Sequence, residues 1–237
     1  MPSTQRYFNE TYQETAQLAN GLCVVLRPVR PSDKDGLVSG LARMSPQSRY
    51  LRFFTNKSQF TAAELRYLTE VDGENHFALA ALRTLADGSE DGIGIARFVR
   101  LRDEPAVAEA AIAVVDEFHR NGLGRLLFLR LAAAARERGI ERIRSEILPE
   151  NRAIRAIIRQ LATGACEHHE GGVVTVEASL PAVSPAAPPD MPSERGPNYR
   201  LLALAATNAL ELRPTSCSVP PSVAGRSGPK GPANGSP

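Results

Sequence analysis

Between Leu22 and Leu180 the apolar positions repeatedly change period, from alternate residues to every third or fourth and back. That rhythm predicts short strands interleaved with helices. Leu22–Val29, LCVVLRPV, reads as a first strand. Ser32-Asp33 can cap a helix to about Met44 that carries Leu37, Val38 and Leu41 on one face. Ser45–Phe54, SPQSRYLRFF, reads as a short helix with a basic and aromatic face, and Thr61 with Glu64 forms a capping box before Leu65 and Leu68. Three strands follow, near His76–Arg83, Gly92–Arg100 and Val107–Val115, the first two joined through the turn residues Ala86–Ser89. Short connections predict that these three form a meander. A long helix from Gly122 should end at Arg138-Gly139, a basic last turn before a glycine. A strand at Arg142–Leu148, a helix from about Asn151 to Leu161 and a strand over Gly171–Leu180 complete the pattern. The fold class is mixed α/β, a central mixed sheet flanked by helices.

Composition adds a boundary. From Pro181 onward come 12 of the 18 prolines, set among Ser, Ala, Gly and Asn. The segment 181–237 therefore reads as a largely disordered tail, with one apolar island at Leu201–Leu210. Residues 1–20 read as a polar N-terminal extension and 21–180 as the folded domain. A hydrophobic share of 43% is ample for one core in a chain of 237 residues. No run reaches the roughly 18 apolar residues of a membrane span, and the opening lacks the basic start and apolar centre of a signal peptide. Cys23, Cys166 and Cys217 are too scattered for a disulfide framework, so a cytoplasmic setting is expected. A net charge of +2 with interleaved signs and 5% aromatic residues argues against a nucleic-acid partner.

Candidate chemistry concentrates in Ala108–Arg138, where an alternating strand passes through a Gly-containing turn into the long helix. Such a turn aims successive backbone N–H groups and a positive helix end at one spot, where a pyrophosphate can sit. The GxxxxGK[ST] loop is absent, and a dinucleotide fingerprint needs a third glycine where this chain has Leu127. Gly122 and Gly124 can hold a phosphate turn or merely permit a tight, closely packed one. Leu123, Leu126, Leu127, Leu131 and Ala134 can face the sheet in either case. His168-His169-Glu170 is no metal site on sequence grounds, because adjacent strand residues point oppositely and no third ligand is suitably spaced.

At this turn the chain resembles the GNAT superfamily of N-acyltransferases, over about Leu22 to Leu180. The family pattern [Gln/Arg]-x-x-Gly-x-[Gly/Ala] is met by His119-Arg120-Asn121-Gly122-Leu123-Gly124 except at its first position. The resemblance implies acetyl-CoA as acyl donor. Backbone amides from Arg120 to Arg125 would hold its pyrophosphate, His119 would add its backbone N–H, and Val114 and Val115 would meet the pantetheine arm. It also implies two parallel strands splitting to admit that arm. A closer similarity is to the catalytic domain of bacterial protein-lysine acetyltransferases. It is carried by Ser45–Phe54, Gly94-Ile95-Ala96-Arg97, Ala108-Glu109 and Leu148-Pro149-Glu150-Asn151-Arg152. The cyclic-nucleotide-binding domain that some of those proteins carry has no counterpart in the folded part of this chain.

That resemblance assigns a general base to Glu109. A lysine ammonium titrates near ~10.4 and must lose a proton before its nitrogen can attack a thioester, so a carboxylate acting directly or through water has a role. The competing reading is an exposed strand carboxylate; alternation places Glu109 on one face with Ala111, Ala113 and Val115. Backbone N–H groups at Val114 or Val115 are the candidate donors to the carbonyl oxygen. Many family members carry a Tyr seven residues after the helix-opening Asn as acid. Here that position is Ile158, and the following Gly-Phe is replaced by Ala162-Thr163. Water can then protonate the thiolate, or the thiolate can leave directly, since thiols titrate near ~8.5. Asn151 reads as a helix cap, alone or with a ligand contact. Arg49 and Arg52 can line the acceptor or CoA approach, or serve as solvated arginines. The implied acceptor is a primary amine, a protein lysine ahead of small amines. The alternative is an acyl-CoA-binding module without turnover.

Overall fold

The computed structural model describes residues 6–180. Residues 1–5 and the Pro-rich segment 181–237, with its apolar island and Cys217, lie outside the described residues. The strands are β1 (Glu14–Gln17), β2 (Cys23–Pro28), β3 (His76–Thr84), β4 (Glu90–Arg100), β5 (Val107–Val114), β6 (Arg142–Ile147), β7 (Thr163–Glu170) and β8 (Val173–Ser179). The helices are α1 (Lys34–Arg43), α2 (Pro46–Phe53), α3 (Ala62–Thr69), α4 (Leu123–Glu137) and α5 (Arg152–Leu161). One eight-stranded sheet has the order β1-β2-β3-β4-β5-β6-β8-β7, with β5 and β6 its parallel pair and the rest antiparallel.

The expected meander is present as β3, β4 and β5. Two turns of the chain follow their capping chemistry. Thr61 and Glu64 close a capping box on α3, and Ser45 Oγ accepts the Ser48 N–H at 3.1 Å to start α2. Glycine at 139, with φ of +73°, ends the α4 segment as its sequence predicts.

Packing differs on the two faces of the sheet. Alternate residues Phe77 and Leu79 of β3, Ala96 and Phe98 of β4, and Ala108 and Ala110 of β5 enter one core with Leu123, Leu127, Phe128 and Leu131 of α4. Burying side chains of this size is worth about 1.5–3 kcal/mol each. The opposite face carries a smaller cluster, Val29, Ala78, Ala80 and Leu82, on the side of α1 to α3.

The segment read as a polar extension is part of this packing. Phe8, Tyr12 and Leu18 are buried in the main core, and β1 pairs with β2 from Glu14↔Leu26 to Gln17↔Cys23. Glu14 holds the buried Arg130 of α4 through two contacts, at 2.6 and 2.7 Å, and accepts the Tyr12 hydroxyl. Arg138 stacks over Phe77 at 4.2 Å and donates to Phe8 O at 2.8 Å. A polar run therefore supplies a second layer over α4. The edge strand β7 also lay outside the predicted elements, because its sequence, TGACEHHE, is nearly all polar or small. No helix among the described residues is long and apolar enough to cross a membrane.

Candidate functional site

The parallel pair β5/β6 is the break in the sheet. Its register covers only Val107↔Arg142, Ala108↔Ile143 and Glu109↔Arg144. Beyond those residues β5 continues against β4 as far as Val114↔Gly94, while β6 continues against β8 as far as Ile147↔Val174. The buried Ser145 hydroxyl donates to Ala110 O at 2.8 Å and ties the apex of the opening. The β4/β5 ladder is framed by Leu101 N donating to Val107 O at 2.9 Å and Val115 N donating to Ile93 O at 3.0 Å. In an antiparallel ladder successive residues point their N–H groups to opposite sides, so Ile112 and Val114 turn theirs toward the gap.

This alternation separates two residues that the sequence reading grouped. Val114 lies on the gap side, whereas the Val115 N–H is already spent on Ile93 and its side chain is buried. Ile112 joins Val114 instead. The period-two rule held that signal, but its phase depends on the pairing with β4.

At the end of β5 the chain makes a 3-10 turn over Asp116–Phe118 and enters α4 through His119–Gly122. Arg120 has φ of +62° and Gly122, the residue before the helix, φ of +84°, a conformation that favours glycine. At Gly124 a Cβ would sit 3.4 Å from Ile157 Cδ1, so this glycine lets α5 approach α4. The N–H groups of Arg120 to Arg125 meet no acceptor among the described residues, and they stand at the positive end of a 15-residue helix. His119 differs from expectation. Its N–H donates to Asp116 O at 3.1 Å, and its ring Nε2 donates to Val114 O at 2.9 Å. It braces the turn and does not belong to the run of free donors.

Glu109 stands where the parallel register ends. It is exposed, and it makes no hydrogen bond or ion pair among the described residues. Its cross-sheet neighbours on the same face are Val99 and then His76. Arg97, opposite Ala111, projects from that face too. It donates to Leu68 O at 2.8 Å and approaches His76 Nε2 at 3.1 Å. Burial first, and the Arg97 charge second, push the His76 imidazole down to about 4 against the pull of Asp72. The neutral ring therefore offers Nε2 to Arg97 as an acceptor.

Helix α2 is fixed over this face from the loop after β5. Asp116 accepts Ser45 N at 3.0 Å, Ser45 Oγ at 2.7 Å and Ser48 Oγ at 2.8 Å. The Ser45–Phe54 motif thus carries its own anchor, and that anchor brings Arg52 and Phe53 to a cavity of about 440 Å³. Ala113 and Val114 of β5 and the following Val115 border the cavity on one side, while Leu37 and Leu41 border it from α1. Arg49, the other arginine considered from sequence, is held to Lys57 O at 3.4 Å instead.

The remaining sequence candidates have structural places. Asn151 caps α5, accepting the Ile154 N–H at 3.4 Å. Ile158 is 1% exposed within the main core, so its side chain packs rather than reaching the gap. Ala162 is buried, and Thr163 opens β7. His168 and His169 lie on the exposed edge strand, each 3.7 Å from a glutamate, Glu170 and Glu167.

Residues 24–162 match the acetyltransferase (GNAT) domain family. The chain is 34% identical over 169 residues to acetyltransferase Pat of Mycolicibacterium smegmatis, a match covering 70% of this chain and 49% of that protein. It therefore spans about half the length of that relative. It is 30% identical over 138 residues to acetyltransferase PA5475 of Pseudomonas aeruginosa, covering 58% of this chain and 73% of that one. The solved GNAT domain of PAT from S. lividans shares 30% identity and a TM-score of 0.63, over 71% of this chain and 97% of that chain. The split parallel pair, the glycine turn and these similarities agree, and the chain belongs to the GNAT acetyltransferase family.

Proposed function

We propose that the chain transfers an acetyl group from acetyl-CoA to a primary amine, with a protein lysine as the first acceptor to test. The observation that carries this reading is the parting of β5 from β6 immediately after Glu109, with the free N–H groups of Arg120 to Arg125 at the far end of β5. Six unpaired donors at a helix start suit the CoA pyrophosphate. The N–H groups of Ile112 and Val114 suit the amide-rich pantetheine arm, which can pair with β5 as a strand would. They are also the donors available to negative charge developing on the thioester oxygen.

The reaction is direct attack. The amine nitrogen forms a bond to the thioester carbonyl carbon, the C–S bond breaks, and the sulfur leaves as thiolate. The nitrogen's proton passes to the Glu109 carboxylate, directly or through water. Exposure gives Glu109 contact with the solvent water such a relay needs. Water supplies the proton to the thiolate, because Ile158 can donate none.

The test is calorimetric titration with acetyl-CoA, CoA, propionyl-CoA and NAD, followed by an assay of CoA release with lysine peptides and small amines. Saturable binding of acetyl-CoA, no response to NAD and acceptor-dependent CoA release support the proposal. Buried Ile158 favours one rival, an acyl-CoA-binding module without turnover. Tight acetyl-CoA binding with no CoA release for any acceptor would select that rival.

A further inference from the structure

The cavity beside Val114 has two differently charged ends. At one end Arg27 is matched by Asp33 at 2.8 Å and Glu90 at 2.9 Å. At the other end stand Arg52 and Arg97, and neither guanidinium has a carboxylate within ion-pair distance among the described residues. The wall between them is apolar, including Leu41, Phe53 and Ile95.

Arg97 is 6% exposed, and its two terminal nitrogens are engaged by Leu68 O and the uncharged His76 ring. Arg52 makes no hydrogen bond among the described residues; its guanidinium stands 5.1 Å from the Phe53 ring centre. Burial lowers the proton affinity of both groups. For Arg97 the neighbouring Arg52 charge adds to burial and brings it to about 10. Glu109 is the carboxylate that acts on Arg52, from beyond ion-pair distance. One buried and one half-buried cation with one distant anion are an incomplete charge set. A ligand carboxylate completes it, and a guanidinium with free N–H groups binds carboxylates by short, charge-assisted hydrogen bonds.

We propose that Arg52, backed by Arg97, is an anion subsite of the acceptor cavity, so that the preferred amine acceptor carries a carboxylate near its nitrogen on an apolar stem. This rests on the proposed acetyl transfer, and it names the acceptor class. The carboxylate can belong to an acidic residue flanking a lysine or to a free amino acid.

The experiment compares peptides of equal length that hold one lysine flanked by Glu, Gln or Arg, together with free lysine and lysinamide. Each is assayed for kcat/KM at saturating acetyl-CoA, and each is titrated calorimetrically onto the protein with CoA bound. The Glu-flanked peptide should exceed the Gln-flanked one by about tenfold if the peptide supplies the anion, or free lysine should exceed lysinamide by as much if a small molecule does. Arg52→Gln should reduce that ratio to near unity, and Arg52→Lys should restore part of it. Each ratio is internal to one protein, so a partly destabilised variant still reports, and thermal unfolding identifies a variant that does not fold. Equal values across both pairs, or a preference that survives in Arg52→Gln, overturns the subsite. Absence of CoA release with every acceptor would count against acetyl transfer alone. In that case the calorimetric ratios decide the subsite.

Discussion

Along β5, Ala108 and Ala110 enter the core beneath α4, whereas Glu109, Ala111 and Ala113 face the side that holds the cavity. On the first face nearly every contact is apolar, and its buried charges are engaged, Arg130 by Glu14 and Arg138 by backbone carbonyls. On the second face Arg27 is paired with Asp33 and Glu90, but Arg52 and Arg97 stand without a carboxylate within ion-pair distance, an imidazole is held neutral, and Glu109 has no ion-pair partner among the described residues. One strand therefore gives adjacent residues to the core and, under the proposed function, to the chemistry. Substitutions on the closed face should change stability with little effect on the bound-state chemistry, and substitutions on the open face should do the reverse.

The largest expected effect tests the closed face. Glu14→Ala leaves the Arg130 guanidinium, whose side chain is 6% exposed, without its partner. Breaking such a buried pair costs about 3–5 kcal/mol. For a domain of this size that is a fall in Tm of roughly 10 °C, measurable by calorimetric unfolding. A change under about 1 kcal/mol would mean that β1 is not integral to the core. The counterpart on the open face is Glu109→Gln. Removing the proton acceptor should lower kcat by about 10²-fold or more while acetyl-CoA affinity and Tm hold. Unaltered turnover would reject Glu109 as the base and leave it an exposed strand carboxylate.

The local features of this comparison were legible in the sequence. The turn at Gly122, the cap at Asn151, the capping box at Thr61 and the meander all depend on residues close in the chain, where spacing carries the signal. What stayed hidden depends on register or on distant partners. Phe8 and Tyr12 lie in a polar run and become core only because α4 offers a second face. The choice of Ile112 over Val115 follows from the phase of the β4 ladder. His119 presented a backbone N–H in the turn motif, but the 3-10 turn at Asp116 consumes it. The pairing of Arg52 with Arg97 joins a helix residue to a strand residue through the Ser45–Asp116 anchor, and no spacing rule encodes that meeting.

A pH series sharpens the same contrast. The His76 imidazole titrates near 4 in the folded protein, against 6.5 when unperturbed. Between those values the unfolded chain binds a proton that the folded chain does not, so stability rises with pH across the window. The contribution is complete above pH 6.5 and is lost as pH falls toward about 4. Urea midpoints through that window should fall with acidity, and the slope should flatten in His76→Asn. An identical slope in that variant would assign the acid sensitivity to other groups.

The smallest effect concerns the anchor that joins the two faces. Ser45 caps α2 and also donates to Asp116, so Ser45→Ala removes the cap and one of the three bonds to that carboxylate. The loss of a serine cap costs about 1 kcal/mol. Because α2 carries Arg52 and Phe53 to the cavity, the slackened anchor should also raise KM for the amine acceptor, leaving the acetyl-CoA side untouched. Steady-state kinetics with each substrate varied in turn separates the two. A rise confined to acceptor KM places Ser45 in the positioning of the open face, whereas equal loss on both substrates would show that α2 supports the whole domain rather than one side of it.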